Sequence, residues 1–114
     1  MQTEWYRKSK NVNTKKMMTF QLIDNKEAKQ YEFHIEDTIP RIEYIKAQES
    51  IYLTHTEVPR GLEGKGYGSA LVKQVLEDVE QKDLTLIPLC PFVALYIKRN
   101  PYWRKLVFKG MTIA

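Results

Sequence analysis

Four glycines, Gly61, Gly64, Gly66 and Gly68, fall within eight residues and lead directly into an apolar run with helical spacing. Lacking Cβ, glycine reaches φ > 0 and lets a ligand come close to the main chain. The amides that open a helix find no carbonyl one turn back, and they carry the positive end of its dipole. A glycine loop entering a helix is therefore chemistry for an anion, and the amides of residues 64–69 suit a diphosphate. By glycine count alone the segment also reads as a flexible turn before a helix. Two familiar phosphate loops do not fit. Lys65 is followed by Gly66 and not by Ser or Thr, so the P-loop order is absent. A dinucleotide fingerprint needs glycine where Ser69 stands, within a longer series of βαβ units.

Nucleophile and base candidates flank this loop. Cys90 precedes Pro91, a favoured first helical residue, which places its thiol at a helix N-cap where the thiolate is favoured. It reads equally as an inert core cysteine. His55 lies near the end of the strand expected to adjoin the one before Cys90, so the two could serve as base and nucleophile. A histidine on an apolar strand face also reads as an ordinary core residue, and His34, without such a neighbour, reads as structural. Two isolated histidines and one cysteine have no metal-ligand spacing, so no metal is expected.

Periodicity gives the elements that must hold these residues. Residues 18–24, 31–35, 41–47 and 50–58 are rich in β-branched and aromatic side chains and predict an antiparallel meander. Asn25-Lys26 and Gln48-Glu49 are the expected turn tips, and Pro40 is expected to break pairing between the second and third strands. In the fourth strand simple alternation puts Ile51, Leu53, His55 and Glu57 on one face and Tyr52, Thr54, Thr56 and Val58 on the other. Neither face is wholly polar, which predicts cover on both sides. Leu71, Val72, Val75, Leu76 and Val79 form the stripe of a helix over residues 66–81. Residues 83–89 predict a strand that pairs in parallel with the fourth through a right-handed crossover. A second helix over 92–99 ends at Asn100-Pro101, after which Trp103, Leu106, Val107 and Phe108 are expected to dock on the core. The fold class is α/β in the α+β sense: a mostly antiparallel central sheet with one parallel βαβ unit and two main helices.

Val58-Pro59 followed by Glu63-Gly64-Lys65-Gly66-Tyr67-Gly68-Ser69-Ala70-Leu71-Val72 resembles the acetyl-CoA pyrophosphate motif of GNAT N-acetyltransferases, Gln/Arg-x-x-Gly-x-Gly/Ala. His55-Thr56-Glu57-Val58, Pro88-Leu89-Cys90-Pro91-Phe92-Val93, and Arg99-Asn100-Pro101 with Trp103 resemble a subgroup of very small GNAT-like proteins. The resemblance covers about residues 41–108, with one departure: Glu63 stands where Gln or Arg is usual. It implies a GNAT-like fold in which the amides of Gly64, Lys65, Gly66, Tyr67, Gly68 and Ser69 cradle the pyrophosphate of acetyl-CoA. The main chain at Glu57 and Val58 would pair with the pantetheine arm. It further implies acetyl transfer to an amine acceptor, with Cys90 as a possible catalytic residue of the subgroup. Tyr96, one helical turn after Phe92, is then a candidate general acid or a packing aromatic. Lys98 and Arg99 become candidate contacts for the nucleotide end, or simple partners of a helix dipole. The N-terminal helices that shape the acceptor pocket in the family have no counterpart, so an open site for a protein side chain, a polyamine or a small amine is expected.

Charge and length set the remaining bounds. The 114 residues fit one domain that buries roughly 65% of its unfolded surface. Of 18 basic and 14 acidic residues, five and one lie in residues 1–16, which therefore hold the whole net charge of +4. That stretch has no periodicity and is expected to be a disordered, dispensable basic tail, with the domain spanning 17–114. The balanced remainder offers no basic face, so nucleic acid is an unlikely partner. No apolar run approaches a membrane span and no secretory h-region can be read, which with a single cysteine leads to an expected cytoplasmic location. The leading expectation is an acetyl-CoA-dependent N-acyltransferase, with a non-catalytic module binding CoA or acyl-CoA as the alternative.

Overall fold

Alternating apolar residues before the glycine loop and a helical stripe after it produce a sheet with helices packed on one face. The computed structural model describes residues 20–113; the basic segment 1–16 and the domain start at Met17 lie outside the described residues. The strands are β1 (Ile23–Asn25), β2 (Gln30–Glu32), β3 (Arg41–Ala47), β4 (Ser50–Glu57) and β5 (Thr85–Pro88), in the order β1-β2-β3-β4-β5. Helix α1 (Tyr67–Gln81) joins β4 to β5, and α2 (Pro91–Arg99) follows β5, succeeded by a 3₁₀ helix, Pro101–Leu106. All neighbours pair antiparallel except β4 and β5, as the sequence predicts. Val107 adds a parallel bridge to Leu86 on the far side of β5. Residues of α1 and α2 share one buried cluster, so both helices lie on the same face, as two right-handed crossovers running the same way require.

That face holds the core. Leu71, Val72, Val75, Leu76 and Val79 of α1 lose all exposure against Tyr31, Ile42, Leu53 and Leu86 of the sheet, and Val93 and Ile97 of α2 complete the cluster. Each such side chain contributes roughly 1.5–3 kcal/mol of transfer free energy before conformational entropy is charged against it. Trp103 docks as expected at 7% exposure, but Phe108, expected beside it, is 53% exposed. The chain turns at Lys109-Gly110, where the ring packs over Gly110 instead of entering the core.

Two other expectations fail for identifiable reasons. Pro40 does not break the pairing of β2 with β3: Tyr31 lies opposite Ile42, and the Phe33 amide donates to the Pro40 carbonyl at 3.0 Å. Proline lacks only the N–H, and the ladder here uses its C=O. Simple alternation fails in β4. Leu53 pairs with Tyr44 and His55 with Glu43, so Thr54 is an extra residue opposite none, a β-bulge. Beyond it the faces exchange: Thr56 pairs with Ile42 on the core side, while His55 and Glu57 lie opposite Glu43 and Arg41 on the other. The second face is not buried. Ile45 is 57% exposed and the His55 side chain 53%.

Candidate functional site

The site begins where β4 outruns its neighbour. The last β4–β5 pair is Leu53 with Pro88, and the Cys90 amide donates to the Leu53 carbonyl at 2.9 Å as the chain turns away into α2. Residues 54–57 of β4 run on without a β5 partner, so one edge of the strand faces a gap. The loop after β4 closes the gap's far end. Val58 and Pro59 lead into a 3₁₀ turn, Arg60–Leu62, and Gly64 and Gly66 then take φ of 78° and 87°. Those left-handed values reverse the chain so that α1 starts pointing across the gap. Gly66 is the N-cap of α1, and no side chain caps the helix. The first amides of α1 are therefore free to receive an anion.

Gly68 has a different task. A Cβ there would come within 2.8 Å of Phe92 Cζ and 3.3 Å of Val58 Cγ2, so glycine lets the starts of α1 and α2 close against each other. Together these elements wall a cleft of about 530 Å³ lined by Thr56, Glu57 and Val58 on the strand side and by Leu62, Glu63 and the glycine loop on the other. Gly64, Gly66, Tyr67, Gly68 and Ser69, anticipated from sequence, line it together with Phe92. Lys65 is exposed between two of them and its side chain stays outside the lining. The volume lies within the range for small-molecule and cofactor clefts.

The catalytic pair expected from sequence is not assembled. The Cys90 thiol is 4% exposed and sits at the α2 N-cap, but its polar contact is Thr56 Oγ1 at 3.1 Å. The bulge at Thr54 turns His55 to the opposite face of the sheet, where its Nε2 meets Glu57 Oε1 at 3.1 Å. His34 pairs with Glu32 at 2.7 Å, far along the sheet at β2, in keeping with a structural role. Burial and the neighbouring Glu77 carboxylate raise the Tyr96 phenol above its ordinary value. Tyr96 lines a small adjoining pocket of about 120 Å³ with Leu95, Arg99 and Asn100, which shares Ser69 and Phe92 with the main cleft. Arg99 thus lies along the continuation of the cleft, whereas Lys98 does not line it. Among the described residues no group of three or more His, Cys, Asp or Glu side chains is arranged to hold a metal.

Thr56, Leu62 and Phe92 are the site residues that sequence reasoning missed. Phe92 had a signal, since a glycine in the first turn of one helix calls for a large neighbour. Thr56 had none, because a bulge shows in pairing and not in residue type.

Residues 30–106 match the GCN5-related N-acetyl-transferase family, a span that contains the whole cleft. Similar proteins include Protein NATD1 of Xenopus tropicalis, 34% identical over 59 residues, covering 52% of this chain and 53% of that one. Protein NATD1 of Mus musculus is 36% identical over 59 residues (52% and 53%), and that of Homo sapiens 36% over 59 residues (52% and 51%). The chain spans about half the length of the curated relatives it matches.

Proposed function

The chain belongs to the GCN5-related N-acetyltransferase family, and on that premise we propose that it transfers an acetyl group from acetyl-CoA to an amine. The observation that carries this reading is the single cleft that joins uncapped α1 amides to the unpaired edge of β4. The amides of residues 64–69 hold the diphosphate, the edge at Glu57 and Val58 receives the amide-bearing pantetheine arm as an added strand would be received, and the thioester lies towards Thr56. The amine nitrogen attacks the thioester carbonyl directly, since no imidazole stands beside the Cys90 thiol to make it a nucleophile.

The acceptor approaches from the uncovered face of the sheet. Glu57 there, about half exposed, favours a cationic amine of a side chain or polyamine, whereas Glu43 is already paired with Arg41 at 3.0 Å. The separation of His55 from Cys90 also favours a second reading, a module that binds acyl-CoA without turnover. Incubation with acetyl-CoA and either spermidine or a lysine-containing peptide separates the two. Stoichiometric thiol release with acetylated amine is expected, whereas tight binding of acetyl-CoA without thiol release would leave only the binding module.

A further inference from the structure

The bulge at Thr54 has a chemical result as well as a geometric one. It places Thr56 on the core face, in the lining of the cleft, with its hydroxyl 3.1 Å from the only thiol in the chain. The thiol itself is buried and does not line the cleft. Its surroundings are arranged for one partner: the Cys90 amide and carbonyl are bonded to Leu53 and Ala94, and its side chain caps no helical amide, so Sγ is left to Thr56. The contact allows either atom to donate; with the thiol donating, the Thr56 hydroxyl has its own proton free to point forward. We propose that Thr56 is a catalytic residue that protonates the departing sulfur of CoA, and that Cys90 is the positioning residue that supplies the replacement proton. The inference rests on the acetyl-transfer reading of the cleft.

The step balances as follows. The ammonium first loses a proton to solvent; the neutral amine nitrogen then forms a C–N bond to the thioester carbon with its lone pair, and the C=O π pair moves onto oxygen. Collapse restores C=O and breaks the C–S bond, with the pair leaving on sulfur. That sulfur takes the Thr56 hydroxyl proton while Thr56 Oγ1 takes the Cys90 Sγ proton, so the charge ends on Cys90 as thiolate. The proton lost by the amine returns Cys90 to its thiol through Thr56. Both ends of the relay are thiols and the hydroxyl only passes the proton on, whereas an aliphatic hydroxyl acting alone is too weak an acid to serve.

The chain's single cysteine makes the relay directly visible, because its S–H stretch stands alone in the infrared spectrum of the protein. In the wild type the band is expected at the lower frequency of a donating thiol, and Thr56→Val should return it to that of a free thiol while acetyl-CoA still binds. With acetyl-CoA and spermidine, Thr56→Val and Cys90→Ala should each lower kcat by about tenfold or more, in line with a lost acid catalyst. The KM for acetyl-CoA should hardly change, the double variant should be no worse than either single one, and Thr56→Ser should recover most of the rate. Normal acetyl-CoA binding with an S–H band that Thr56→Val leaves in place would overturn the relay alone, as would full kcat in Thr56→Val. Failure of the wild type to bind acetyl-CoA would overturn the reading of the cleft, and the relay with it.

Discussion

The two ends of α1 are built to opposite rules. At its C-terminal end a set of polar side chains is paired. The Tyr31 hydroxyl donates to Asp78 and the Tyr44 hydroxyl to Asp24, each at 2.6 Å, and Lys82 bridges the two carboxylates at 2.9 and 3.3 Å. Burial, with Asp78 and Asp24 beside them, raises both phenols, so they stay protonated as donors. At the N-terminal end the helix has a glycine N-cap, no side-chain cap and no acidic residue in its first turn. One end spends its polar groups on stability and the other leaves them for a ligand. Unmet hydrogen-bonding capacity in an otherwise satisfied molecule marks where a partner binds.

The contrast can be broken at either end. The largest expected effect on stability is from Asp78→Ala, which leaves the buried Tyr31 hydroxyl unpaired and removes a partner of Lys82. A loss of about 2–3 kcal/mol is expected from urea midpoints, with acetyl-CoA affinity unchanged. Adding Tyr31→Phe should restore part of it, because no buried hydroxyl is then left unmet. A smaller effect concerns acid. Burial pulls Glu32 up, but hydrogen bonds from His34, Gln30 and Asn25 outweigh it and hold the carboxyl below its ordinary value of 4.5. A depressed folded pKa gives stability that is present above 4.5 and lost as pH falls through the folded value. Urea midpoints should therefore drop on acidification through that window, and Glu32→Gln should flatten the drop. At the open end, Glu63 places a carboxylate in the lining where an anion is to bind. Replacing it with Gln should tighten acetyl-CoA by roughly two- to fivefold, the effect of one charge near a helix N-terminus. The smallest effect is expected from deleting residues 1–16, which should move stability by less than about 0.5 kcal/mol and leave affinity as it was.

The glycine loop was legible because it favours a residue type: φ of 78° and 87° at Gly64 and Gly66 strains other residues, and at Gly68 a Cβ would come within 2.8 Å of the Phe92 ring. The α1 stripe was legible because helical burial repeats at fixed spacing. The expected end of the second helix at Asn100 also held, with its side-chain amide donating to the Tyr96 carbonyl at 2.8 Å. What stayed hidden was pairing. Nothing in Thr54 announces a bulge, yet that one residue decides that Thr56 and not His55 shares a face with Cys90. Of the strand expected over residues 18–24, residues 18 and 19 lie outside the described residues, and the described part pairs with β2 at Ile23–Asn25, three residues on either side. Pro40 was misread because propensity counts the missing N–H and not the carbonyl that remains.

The central claim is that acetyl-CoA is held by main-chain amides at the start of α1. Calorimetric titration of acetyl-CoA into the wild type and into Gly66→Val tests it most directly. Valine at φ 87° is strained, so the left-handed turn that presents the α1 amides is disfavoured. Loss of one or two charge-assisted hydrogen bonds should weaken binding roughly ten- to a hundredfold, in a variant whose circular dichroism shows it still folded at the titration temperature. Affinity for acetyl-CoA in folded Gly66→Val equal to that of the wild type would contradict the account.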